Sequence, residues 1–218
     1  MGCIRVALIS FLPVLFLTSC RSNEPYKSVT VYEKEEAKLP RIVAFGDSLT
    51  AGLGLPASQS YPAILQKLIE ADGYKYEVVN AGVSGDTTAG GLRRIEWSLD
   101  GDARFLILEL GGNDILRGQP ADLLKQNLVQ IIEKAQSKNV KVLLAGMEAP
   151  VNAGPEYREQ IHRAYEDLEK KHQVVFIPFV LKDLVKSENL IQEDGTHPTA
   201  EGTRLIAETV YKSLKPLL

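Results

Sequence analysis

Apolar and polar positions fall into two alternating rhythms after residue 40. Arg41–Phe45 (RIVAF) is a short apolar run that stops at Gly46, and Phe105–Leu110 (FLILEL) stops at Gly111-Gly112. Both read as buried strands that end in turns. Similar runs at Tyr76–Asn80, Val140–Ala145 and Val174–Pro178 bring the expected strands to five. Between them the spacing becomes helical: Leu124, Leu128, Ile131 and Ala135 recur at i, i+4, i+7 and i+11, and Ile206, Val210 and Leu214 at i, i+4 and i+8. Weaker helical patterns cover Pro62–Ala71, Ala89–Leu99 and Glu156–Lys171. Strands alternating with helices predict a five-stranded parallel sheet covered on both faces, a three-layer α/β/α sandwich. Ligands of such open sheets gather beyond the carboxyl ends of the strands, so the loops after each strand are where chemistry is expected.

The first forty residues follow neither rhythm. Residues 1–20 hold one charged side chain, Arg5, then an apolar run from Val6 to Leu17 broken only by Ser10 and Pro13. That run is short of the roughly 20 apolar residues needed to span a bilayer, and suits the apolar region of a secretory signal. It ends in Leu17-Thr18-Ser19-Cys20, which resembles the lipobox of bacterial lipoproteins, where the signal is cut before a Cys that is then lipidated. Residues 1–19 are therefore expected to be a lipoprotein signal peptide and Cys20 the lipidated residue. Residues 20–40, with Glu33-Lys34-Glu35-Glu36 and little apolar periodicity, read as a polar tether that holds the domain off a membrane of the bacterial cell envelope, on its periplasmic or surface face.

Composition narrows the classes. The 218 residues allow one generous domain, 41–218, plus this appendage. A net charge of −3, from 25 basic and 28 acidic residues spread along the chain, gives no basic field to gather phosphates, so no nucleic-acid partner is expected. The two cysteines are Cys3 and Cys20; processing would remove the first and acylate the second, leaving no disulfide.

Candidate chemistry lies in four loops. After the first strand comes Gly46-Asp47-Ser48-Leu49-Thr50, a hydroxyl at a strand-to-helix turn. Such a Ser caps a helix more often than it attacks a substrate, and Thr50 stands where a G-x-S-x-G elbow would need its second Gly. After the second strand comes Asn80-Ala81-Gly82-Val83-Ser84-Gly85-Asp86-Thr87, and after the third Gly111-Gly112-Asn113-Asp114; each brings backbone N–H groups close to a ligand, and the latter adds an amide donor. Near the C-terminus, Asp194-Gly195-Thr196-His197-Pro198 puts a carboxylate three residues before an imidazole, so one turn can hold the Asp against Nδ1 and leave Nε2 free as a base. His162 and His172 lie in a charged helical segment and read as solvated.

Singly these are weak; together they supply a nucleophile, its base, the orienter of that base and an oxyanion hole, the full set for acyl transfer. The four segments, in this order, resemble the blocks of the SGNH, or GDSL, hydrolase superfamily over nearly all of residues 41–218. The resemblance implies a flavodoxin-like sandwich and a serine hydrolase with no metal or other cofactor. It implies Ser48, Asp194 and His197 as the catalytic triad, and an oxyanion hole from the N–H groups of Ser48 and Gly85 and the side chain of Asn113. Asp47 and Asp114 read as structural. The stretch from Ala145 to Tyr157, with Gly46–Leu49 and Gly111–Leu116, resembles the bacterial arylesterase, thioesterase I and lysophospholipase group. That implies small acyl esters, thioesters or lysolipids as substrates and a monomeric enzyme, although Glu148 puts an acidic residue in the loop that borders the group's acyl pocket. Two other readings fit the same blocks: a carbohydrate O-acetylesterase, and an envelope-binding lipoprotein without activity.

Overall fold

The computed structural model describes residues 38–218. The expected signal peptide, Cys20 and the tether up to residue 37 lie outside the described residues.

Five strands form one all-parallel sheet: β1 (Arg41–Gly46), β2 (Glu77–Gly82), β3 (Ala103–Glu109), β4 (Lys141–Ala145) and β5 (Val175–Ile177), in the order β2-β1-β3-β4-β5. This is the flavodoxin-like order, whose direction reverses between β1 and β3 and opens a crevice there. Among the described residues seven α-helices join and cover the strands: α1 (Ser48–Ala51), α2 (Tyr61–Ala71), α3 (Thr88–Ser98), α4 (Gly112–Leu116), α5 (Ala121–Ser137), α6 (Pro155–His172) and α7 (Ala200–Leu214). Helix α5 packs between α3 and α6, while α2 packs on α7, giving the three layers.

The patterning explains the layers. Central strands buried on both faces must be apolar throughout; Ile42, Val43, Ala44 and Phe45 of β1 and Leu106, Ile107 and Leu108 of β3 are fully buried. The edge strand β2 is only partly covered and carries a mixed sequence. The α5 stripe, Leu124, Leu128, Ile131 and Ala135, is wholly buried, as is Leu214 on α7. Each Leu or Ile so removed from water contributes about 1.5–3 kcal/mol before the entropy of ordering it is counted.

The sheet, its order of elements and the five longer helices match the sequence expectation, with ends moved by a few residues. The fifth strand stops at Ile177, because Pro178 has no N–H to continue the ladder. The short helices α1 and α4 carry too few residues to show a period. His172 is half-buried at the end of α6, with Nε2 enclosed, rather than solvated. At the amino ends of the strands, Pro40, Tyr76, Phe105, Leu217 and Leu218 line one shallow groove, so the beginning and end of the folded unit lie together there.

Candidate active site

At the carboxyl end of β1 the chain makes a sharp turn into α1. The Asp47 carboxylate caps that helix by accepting the Leu49 N–H at 3.1 Å, and Gly52, at φ 79°, ends it after one turn. Gly46 has no room for a side chain, since a Cβ there would sit 2.1 Å from Thr50 Oγ1. Ser48 is thus the first residue of a one-turn helix at the carboxyl end of β1.

Ser48 Oγ lies 2.9 Å from His197 Nε2, and His197 Nδ1 lies 2.6 Å from Asp194 Oδ2. The second oxygen of Asp194 accepts the backbone N–H of His197 and of Thr196, each at 2.9 Å. Those bonds, that from the His197 backbone first and its imidazole next, hold the Asp194 carboxyl at about 2, so it is ionised at any ordinary pH. The loop bearing His197 is fastened to the loop after α1 by Gln192, whose amide donates to the carbonyls of Leu53 (2.9 Å) and Pro198 (2.8 Å). Gln192 carried no signal in the sequence; it is one polar residue in a polar loop.

The loop after β2 meets the same turn. Val83 N–H donates to Gly46 O at 3.0 Å, and Gly85 takes the positive φ of 80° that closes this loop. Arg94 of α3 locks it in place: Nε donates to Asp86 Oδ2 (2.7 Å), Nη1 to Ala81 O (2.7 Å) and Nη2 to Gly46 O (2.9 Å), with the guanidinium 3.9 Å above the Phe45 ring. Asn113 Nδ2 donates to Asp47 Oδ2 and to Asp86 O, both at 2.9 Å. Asp114 holds the start of α3 by accepting the Thr88 N–H (2.8 Å) and hydroxyl (2.6 Å), the structural role read for it from the sequence.

Two buried carboxyls lie under the turn. Burial above all raises Asp47, against the pull of the Leu49 N–H, the Asn113 amide and His197. Burial and the neighbouring Asp47 charge raise Glu109 well above the usual carboxylate range. The signal for Glu109 was a lone acid in the apolar run FLILEL. Arg94 gave none, being one of several basic residues on an amphipathic helix.

On the side of β3, β4 and β5 a cleft of about 940 Å³ opens, lined by Ile115, Leu116, Met147, Phe179, Leu181 and Leu184 and reaching Gly195 and Thr196 beside His197. Glu148 and Glu193 are exposed on its wall. Among the described residues no group of three or more His, Cys, Asp or Glu is placed to hold a metal ion.

Ser48, His197 and Asp194 converge in one line of hydrogen bonds, with Gly85 and Asn113 on loops that border it. An alcohol so paired with an imidazole and a carboxylate can be deprotonated as it attacks a carbonyl. Residues 44–205 match the GDSL-like lipase/acylhydrolase family. The chain belongs to this family. As a member of it, the protein is a hydrolase acting on ester bonds. It is 40% identical over 185 residues to esterase TesA of Pseudomonas aeruginosa, covering 84% of this chain and 92% of that protein. It is 33% identical over 199 residues to thioesterase 1/protease 1/lysophospholipase L1 of Escherichia coli, covering 91% and 94% of the two. The crystal structure of TesA superimposes on this acylhydrolase with a TM-score of 0.79 at 41% identity, over 82% of this chain and 99% of that one.

Proposed function

We infer that Ser48, His197 and Asp194 are the catalytic triad of a serine esterase that hydrolyses carboxylic esters, acyl thioesters and lysolipids through an acyl-enzyme. The observation that carries this reading is the unbroken series Ser48 Oγ, His197 Nε2 and Nδ1, Asp194 Oδ2, with separations of 2.9 and 2.6 Å. Ser48 Oγ attacks the carbonyl carbon while His197 Nε2 takes its proton. Asp194 holds the imidazole in the tautomer that leaves Nε2 unprotonated and stabilises the cation that forms. The oxyanion is met by the N–H groups of Ser48 and Gly85 and by the Asn113 amide. His197 returns its proton to the leaving alcohol or thiol, then takes one from the water that attacks the acyl-enzyme and passes it to Ser48 Oγ as the acid leaves. No step requires a cofactor.

The apolar lining of the cleft supports an acyl chain as the group held there, and the names of the relatives support esters and thioesters as the linkage. The protein acts as a monomer, secreted by residues 1–19, anchored through lipidated Cys20 and a tether to residue 40, in the bacterial cell envelope. That placement is supported by the apolar run before Leu17-Thr18-Ser19-Cys20, and is tested by incorporation of labelled palmitate that a Cys20→Ala variant loses.

The test of the reaction is hydrolysis of p-nitrophenyl esters from acetate to palmitate, with Ser48→Ala as control. Activity at several chain lengths is expected, with kcat lower by roughly 10⁴–10⁶-fold in the control. Activity confined to acetate would favour a carbohydrate O-acetylesterase, and no activity a binding lipoprotein.

A further inference from the structure

Glu109 is the last residue of β3 and pairs with Gly46 across the β1–β3 ladder. Its side chain is buried, at 1% exposure, in the space beneath the Ser48 turn. Oε2 accepts the Thr50 hydroxyl at 2.8 Å, and Thr50 Oγ1 lies 3.3 Å from the Tyr61 hydroxyl. Since the Thr50 hydrogen goes to Glu109, Tyr61 is the donor of the second bond. Oε1 is enclosed and has no hydrogen-bond partner among the described residues. A Cβ on Gly46 would stand 2.4 Å from Oε2, so the carboxyl packs directly on the backbone two residues before Ser48. Thr50 Oγ1 at 2.1 Å, with the Glu109 carboxyl at 2.4 Å and its backbone carbonyl at 2.5 Å, fills the space that a side chain at Gly46 would need.

We propose that Glu109 is a positioning residue of the reaction: its buried carboxyl fixes Thr50, and through Thr50 the turn that presents Ser48. Two features of the site require the uncharged form. A carboxylate would be a buried anion next to the already buried Asp47, which the Thr50 hydroxyl and the backbone N–H groups of Asp47 and Thr50 only partly offset. It would also place negative charge under the position where the oxyanion develops, opposing the transition state. A neutral carboxyl removes the buried charge and keeps Oε2 as the acceptor that Thr50 needs. Tyr61 and Tyr165, which face it from α2 and α6, are held as neutral phenols by burial in the same space.

The proposal rests on Ser48 as nucleophile, and one set of variants separates the two. The kcat and KM of wild type, Ser48→Ala, Glu109→Gln, Glu109→Leu, Thr50→Val and the Glu109→Leu/Thr50→Val double variant are measured on p-nitrophenyl butyrate, with circular dichroism to establish folding. Glu109→Leu and Thr50→Val should each lower kcat by about 10–100-fold with KM nearly unchanged, the scale of a misplaced nucleophile. The double variant should be no worse than the poorer single one, because both act along one path. Glu109→Gln, neutral and still an acceptor, should recover kcat to within about threefold of wild type. Wild-type kcat in a folded Thr50→Val, additive losses in the double variant, or Glu109→Gln performing no better than Thr50→Val would each overturn the proposal. Should Glu109→Leu fail to fold, the Gln and Val variants still decide it. Activity retained by Ser48→Ala would instead remove the nucleophile assignment itself.

Discussion

Asn113 Nδ2 stands 2.9 Å from the buried carboxylate of Asp47, the residue that precedes Ser48. The same nitrogen is 2.9 Å from the backbone carbonyl of Asp86, the residue that follows Gly85. Both amide hydrogens are therefore engaged at the junction of the two loops, which fixes the direction of the donor before any substrate arrives. An oxyanion forming at Ser48 must displace one of these acceptors, or share its hydrogen, to receive this donor.

Replacing Asn113 by Ala should lower kcat by about 10²–10³-fold, the scale of one lost oxyanion donor. Asp47 would also lose a partner while buried, at a cost of about 1–3 kcal/mol. Steady-state kinetics and urea denaturation check the two effects separately; near-normal turnover in a folded variant would remove Asn113 from the site.

Asp194 is ionised above about 2 because N–H groups of His197 and Thr196 and the imidazole all bond to it. The acid limb of kcat/KM should therefore carry no break from the Asp194 carboxylate between about pH 4 and 8. Its folded value is depressed, so whatever stability it adds is present above its ordinary value of 3.8 and fades as pH falls through about 2. Asp194→Asn should cost about 10⁴-fold in kcat by allowing the wrong imidazole tautomer. A break in that range traced to Asp194 would contradict this account.

Glu109 and Asp47 work in the opposite sense. Both are raised by burial, so above their ordinary values of 4.5 and 3.8 the native state holds protons that the unfolded chain has lost. Stability should fall as pH rises from there toward the raised values, by up to about 1.4 kcal/mol per pH unit for each group. Glu109→Gln should flatten that decline in urea midpoints measured across the range. An unchanged slope would mean that Glu109 is not the group responsible.

Arg94 joins the ends of β1 and β2 to Asp86 in the loop after β2, and stacks on Phe45. Arg94→Met should destabilise the fold by about 3 kcal/mol, since it leaves Asp86 largely buried without its partner. Arg94→Lys should recover little of this, because a point charge cannot reach acceptors that diverge around a planar fork. Chemical denaturation of both variants gives the answer, and a Lys variant as stable as wild type would show that charge alone suffices.

The legible parts of this protein are those whose cause is local. Runs such as RIVAF and FLILEL declare buried strands because both faces are covered, and the i, i+4 stripe of α5 declares one buried face. Ser48, Gly85, Asn113, Asp194 and His197 are picked out jointly, because the four loops that carry them resemble, in order, the blocks of one hydrolase superfamily. Glu109, Arg94 and Gln192 were not singled out, because their significance lies in what they touch. Glu109 meets Thr50 from a different strand, Arg94 reaches the ends of β1 and β2 from α3, and Gln192 clasps a loop far away in sequence. Such contacts follow from the order β2-β1-β3-β4-β5 and from no spacing within a segment.

The groove shared by Pro40 and Leu218 lies at the amino ends of the strands, whereas Ser48 and the cleft lie at their carboxyl ends. A bead, a fusion partner or an electrode coupled at either end of the folded unit would thus grip the molecule by its back. The mouth of the enzyme would still open outward, and a short peptide bridging the two ends would permit circularly permuted forms with new termini cut into an outlying loop.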